Sequence, residues 1–324
     1  MLATASGEVV IVADLGGDVR VLRNLGAQSF GGPPMDPETL ESMGTYSFYG
    51  KLKSTMTAHP KVDPKTGELV FYSYMVEGPF SDAIELHKVG ADGFVSESHP
   101  FNAPYASMLH DFIVTENYIV FPVMPLSTSF DRLMEGKPMM AWEPELMSRV
   151  GVMPRTGTPA DIQWIEAQPC YAFHFMNGYD KDGVITFDAC LNDFAPLFPT
   201  VDGESTGITN PRPARWTIDM NAAQPSVGID YLSESFAEFP VVDPRYAMSE
   251  YRHTWFTSSD KTVPNTVPDS EWAYNAIEHF NVETGEKQSF GFSGNVSEPM
   301  FVPKNAEAAE GEGYVLTVVY DPDN

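Results

Sequence analysis

A chain of 324 residues that is 43% hydrophobic and 12% aromatic can bury a sizeable core, which excludes a disordered polymer. Its 45 acidic residues against 19 basic ones leave a formal net charge of −26, so nucleic acid and anionic lipid headgroups are repelled over most of the surface and neither is expected as a partner. Two cysteines, Cys170 and Cys190, with no CxxC between them, exclude a disulfide framework and a thiolate zinc site, and a reducing, cytoplasmic compartment fits. No basic leader opens the sequence, and no uninterrupted apolar span of ~20 residues is present to form a transmembrane helix.

Taken in chain order, strand-length apolar runs recur throughout: EVVIVADL from Glu8, ELVFYSYMV from Glu68, AIELHKV from Ala83, YIVFPV from Tyr118, YAFHF from Tyr171, VITFDA from Val184 and YVLTVVY from Tyr314. Turn formers stand between them. Asp63-Pro64-Lys65-Thr66-Gly67, Asp180-Lys181-Asp182-Gly183 and Asn281-Val282-Glu283-Thr284-Gly285 each lie beside a strand run and end in a residue that tolerates positive φ, which predicts tight hairpins. With 25 glycines and 27 prolines the chain is too rich in turns for long helices, and helical periodicity is confined to Asp36 to Met43, where Pro37 suits a first turn. No linker-like shift in composition divides the chain, so one all-β domain over residues 1–324 is expected, of the sandwich, barrel or propeller kind.

With so few thiols, the seven histidines are the candidates for transition-metal chemistry. They form no HxH, HExxH or HxxxH pair, so any site must gather single histidines from distant strands. His59, His110 and His174 lie beside apolar strand residues. The plain alternative for each is a half-buried core histidine bonded to backbone. His87 alternates with apolar neighbours and is expected to face solvent, His99 to sit in a loop before Pro100, and His253 and His279 to lie among polar residues; these four are left out of the candidate set.

The segments TAHPKVDPKTGEL, MLHDFIVTENYIVFP, WEPELMSRVGVMPR, CYAFHFMNGYD, FAEFPVVDPRY and SEPMFVP, in this order, resemble the carotenoid cleavage oxygenase family, which includes the bacterial lignostilbene dioxygenases. The resemblance runs from about Met35 to Tyr320. It implies a seven-bladed β-propeller holding a non-haem Fe(II) with four histidines from different blades. His59, His110 and His174 fall on three of those ligand positions, and Glu238 and Glu298 match two glutamates that support ligating histidines. The intervals between the three histidines slightly exceed a propeller blade of ~40–50 residues, compatible with placing them on different blades. The family's fourth histidine and its N-terminal blade have no match in this sequence, so a propeller incomplete at both termini is expected.

By the same resemblance the chain is an Fe(II)-dependent dioxygenase that uses O2 to split a carbon–carbon double bond of a small hydrophobic or phenolic alkene into two carbonyl products. The blocks YSFYGKLKSTMTAHPK, FPVMPLSTSFDRL and CYAFHFMNGYDKDGVITFD are more similar to the lignostilbene branch, which makes a stilbenoid the first substrate class and a carotenoid or apocarotenoid the alternative. Two readings from other classes stand beside it: a propeller piece without iron, and a calcium-dependent propeller hydrolase. Oligomeric state is not legible in the sequence.

Overall fold

The three turn sequences close hairpins. In the second of them Asp182 and Gly183 both have positive φ, 51° and 81°, the pair of left-handed residues that a two-residue hairpin needs to match strand twist. In the other two, the Asp63 and Asn281 side chains accept backbone N–H groups two and three residues further on. The structure, a computed structural model, describes residues 47–263 and 274–320, together with the backbone of strands Leu2–Ala3, Val9–Asp14 and Val19–Arg23. The helical expectation over Asp36 to Met43 lies outside the described residues.

Hairpin follows hairpin to give four successive four-stranded antiparallel meanders among the described residues. The first sheet contains Lys61–Val62, Leu69–Tyr74, Ala83–Val89 and Val95–Asn102. Ile113–Val114, Tyr118–Val123, Ser148–Pro154 and Gln163–Ala167 make the second. Tyr171–Lys181, Val184–Asn192, Arg212–Asp219 and Val227–Tyr231 make the third. Glu238–Val242, His253–Ser258, Ala276–Asn281 and Lys287–Gly291 make the fourth, and short paired strands follow. The one α-helix among the described residues, Phe130–Met134, is capped by the Ser129 side chain and interrupts a hairpin that leaves the second sheet.

Why the strands read as continuous apolar runs is visible in the packing. Ile119, Phe121 and Val123 face the first sheet and pack with Val70, Tyr72, Ile84 and Leu86, whereas Val120 faces the third sheet and packs with Phe175, Ile185 and Phe187. The two-residue alternation is therefore present, but both faces are buried against different neighbours. The fourth sheet behaves alike: Phe256 and Phe280 pack toward the third sheet, Trp255 and Ile277 toward the strands that follow. Burying a Phe or Ile side chain in such an interface stabilises the fold by roughly 1.5–3 kcal/mol.

Three local expectations are corrected. His87 does not face solvent: it is wholly buried, stacked on Phe71 at 4.8 Å with Nδ1 2.9 Å from Ser98 Oγ, because its strand lies inside the sheet with both faces covered. His99 is in a strand, not a loop; Val95–Asn102 forms the sheet edge, where Pro100 removes no needed ladder bond. YVLTVVY is not one strand. It divides into Gly313–Leu316 and Val319–Tyr320, which pair with Met300–Pro303 and Asn295–Val296.

Candidate metal centre

Ile113–Val114 approaches Tyr171–Lys181, which in turn approaches Glu238–Val242, and the first strand of each of the four sheets carries a polar residue near its start. His59 precedes Lys61–Val62, His110 precedes Ile113–Val114, His174 is near the start of Tyr171–Lys181, and Glu238 opens Glu238–Val242. The three imidazoles meet there. His110 Nε2 lies 3.0 Å from His59 Nε2 and 3.3 Å from His174 Nε2, and all three ligand atoms fall within 4.8 Å of one another.

Local backbone irregularity aims these groups. The ladder of Tyr171–Lys181 shifts register between Ala172 and Phe175, freeing His174 from regular pairing, and Glu238–Val242 shifts between Glu238 and Val241 with Phe239 at φ 50°. Bulges re-aim side chains in this way. As a result the His174 Nδ1–H donates to Glu238 Oε2 at 2.5 Å, while the same oxygen accepts the Phe239 N–H at 2.9 Å. Thr57 fixes the other two: its hydroxyl donates to the His110 carbonyl and accepts the His59 N–H, both at 3.2 Å. Tyr72 adds a hydroxyl donor to the Leu109 carbonyl at 2.6 Å.

Burial pushes the His59 imidazole down to about 3, with the Asp111 carboxylate pulling the other way. Burial and then the charge of His174 push His110 down to about 4. At His174 burial again opposes the charged form, but the hydrogen bond and charge of Glu238 outweigh it and raise the pKa. His59 and His110 are thus neutral near pH 7. With its Nδ1–H committed to Glu238, a neutral His174 carries a lone pair on Nε2. Nε2 atoms that turn toward one point from neutral rings can offer their lone pairs to a shared divalent cation, and an all-imidazole donor set fits a metal of the iron, zinc, copper or nickel type.

The other candidates lie elsewhere. Glu298 is exposed and lines, with His59 and His174, a cavity of about 300 Å³, without hydrogen-bonding an imidazole. His99 contacts Glu97 at the edge of the first sheet, and His253 and His279 contact each other on the fourth. Sequence reasoning passed over Phe173 and Phe239, whose rings stand 5.6 Å from His110 and 4.9 Å from His174, and Tyr274 behind Phe239. Phe173 reads as one more apolar residue of the YAFHF run, and nothing in the pattern of AEFP separates Phe239 from a core residue.

Fold and site together define an all-β, propeller-type protein with an all-imidazole triad suited to a metal ion. The chain belongs to the carotenoid cleavage oxygenase family: the family described as retinal pigment epithelial membrane protein matches residues 25–324. It is 35% identical over 295 residues to isoeugenol monooxygenase of Pseudomonas putida, and 33% identical over 299 residues to lignostilbene-alpha,beta-dioxygenase isozyme III of Sphingomonas paucimobilis; each alignment covers 88% of this chain. The crystal structure of Pseudomonas brassicacearum lignostilbene dioxygenase superposes with a TM-score of 0.81 at 35% identity over 87% of this chain. The chain spans 61% of the length of each of these three proteins.

Proposed function

We propose that this chain carries the metal-binding core of an Fe(II)-dependent dioxygenase that splits the carbon–carbon double bond of a stilbenoid into two aldehydes. The observation that carries this reading is the convergence of His59, His110 and His174 from three successive sheets onto one point, with Glu238 fixing the third. Relatives named for isoeugenol and lignostilbene, both aryl alkenes, support the substrate class. In the same reading the four meanders are consecutive blades of a seven-bladed propeller folded as a single domain, and Glu298 supports the site through its charge.

Fe(II) held by these imidazoles would supply the one-electron chemistry that lets dioxygen react with an alkene. The chain's own groups do the rest. Glu238 holds the His174 Nδ1–H, which keeps Nε2 free to donate and locks the ring's orientation. Neutral imidazoles add no negative charge, so the metal keeps its full +2. The rings of Phe173 and Phe239 give an aryl group an apolar surface beside the imidazoles and displace water from it.

The test is anaerobic Fe(II) loading of the purified protein, followed by oxygen uptake and product analysis with 4-hydroxystilbene. One O2 consumed per alkene, with two aldehydes formed, is the expected result. Turnover of an apocarotenoid alone would reassign the substrate, and failure to retain iron would favour a propeller without catalytic metal. Ester hydrolysis that survives His110→Ala would overturn the oxygenase reading.

A further inference from the structure

Three separate segments carry the triad, and none of the three is in a regular ladder at its histidine, so side-chain bonds join apolar packing in holding their starts in register. One carboxylate touches all of them. Asp111, next to His110, has a side chain only 2% exposed, and its Oδ1 lies 2.7 Å from Lys61 Nζ, two residues beyond His59. The same oxygen accepts the Phe112 N–H at 2.8 Å within its own segment, and Oδ2 accepts the Phe175 N–H, one residue beyond His174, at 2.9 Å.

We infer that Asp111 is a positioning residue for metal binding, a clasp that fixes the three histidine-bearing segments relative to one another and places a fixed negative charge beside the cation. The inference rests on the metal reading of the triad given above.

A buried carboxylate is costly unless its oxygens are fully bonded, and this one has a cationic partner and two backbone donors. Its charge also acts on all three imidazoles. A role in folding alone would need no contact to every ligand segment. The contacts fall within two residues of His59 and His110 and one residue of His174, where a small shift in backbone becomes a shift of the Nε2 atoms. A displacement of about 0.5 Å is enough to spoil a metal constellation.

The experiment uses Co(II) as a spectroscopic probe. Wild-type protein should bind Co(II) with visible d–d bands. Asp111→Asn, which keeps the shape but loses the charge and one acceptor, should bind it about 10–100-fold more weakly with shifted bands. Because Asn at a buried position can compromise folding, Lys61→Met provides a second arm: Lys61 is 25% exposed at its side chain, and its removal should give a smaller loss in the same direction with the fold retained. Unchanged Co(II) affinity and spectrum in both variants, even with a lowered melting temperature, would reduce Asp111 to a scaffold residue and overturn the inference. Wild-type protein that binds no Co(II) would remove the metal reading itself, and this inference with it; the two failures are therefore distinct.

Discussion

Two groups of histidines lie in close contact in this protein, and they differ in kind. His253 and His279 sit on adjacent strands of the fourth sheet, where Trp255 is the direct partner of His279; they stack at 5.0 Å with nitrogens 2.9 Å apart. Their proximity is the ordinary diagonal contact of neighbouring strands. His59, His110 and His174 share no ladder and come from three sheets, yet their Nε2 atoms converge. Each group also has a buried carboxylate. Glu238 bonds the His174 ring itself, whereas Glu310 accepts the His253 backbone N–H and pairs with Arg252. Contact between imidazoles is therefore a weak sign of a metal site; convergence from separate sheets with a carboxylate on the ring is a strong one.

The sharpest way to break this contrast is to remove one imidazole from each group. His174→Ala should abolish iron retention after anaerobic loading, and His253→Ala should leave it unchanged, as read by metal analysis of desalted protein. Equal iron in both variants would erase the distinction.

A finer cut replaces the carboxylates. Glu238→Gln should weaken metal affinity by about 10–100-fold, because an amide holds the His174 tautomer less firmly. Glu298→Gln, which removes a charge but no hydrogen bond to a ring, should cost less. Glu310→Gln should leave metal affinity alone and lower folding stability by about 1–3 kcal/mol through its lost charge-assisted bonds, seen in denaturant unfolding.

A separate test of the buried imidazoles lies in the pH dependence of the metal-free protein. His59 and His110 are pushed down to about 3 and 4 by burial, and His87, outside both groups, to about 4 by burial also. An unfolded chain protonates these groups near pH 6.5 while the folded one does not, so stability should fall as pH drops from about 6.5 toward 4. His174, raised by Glu238 against burial, acts in the opposite sense: its contribution is present below pH 6.5 and lost as pH rises through its folded pKa. His87→Phe should flatten the acid limb of the melting-temperature profile; an unchanged slope would mean that His87 does not titrate on unfolding.

The sequence by itself determined the all-β class, three of the hairpins and the strands of the strongest apolar runs, since apolar runs and turn residues act over a few neighbours; YIVFPV matches the strand Tyr118–Val123 residue for residue. It also singled out His59, His110, His174 and Glu238, through six ordered blocks of resemblance. Which faces are buried was decided by the tertiary structure. His87 looks half-exposed in AIELHKV, but the face it shares with Phe71 and Val89 is covered by Phe48, Leu52 and Met56, and no short-range pattern reports such cover. Long-range packing likewise brings Asp111 against both Lys61 and the Phe175 N–H, and turns Glu238 onto His174 through a bulge. Local chemistry writes the strands, while the meeting of side chains distant in sequence depends on how the sheets stack, and that is a property of the whole core.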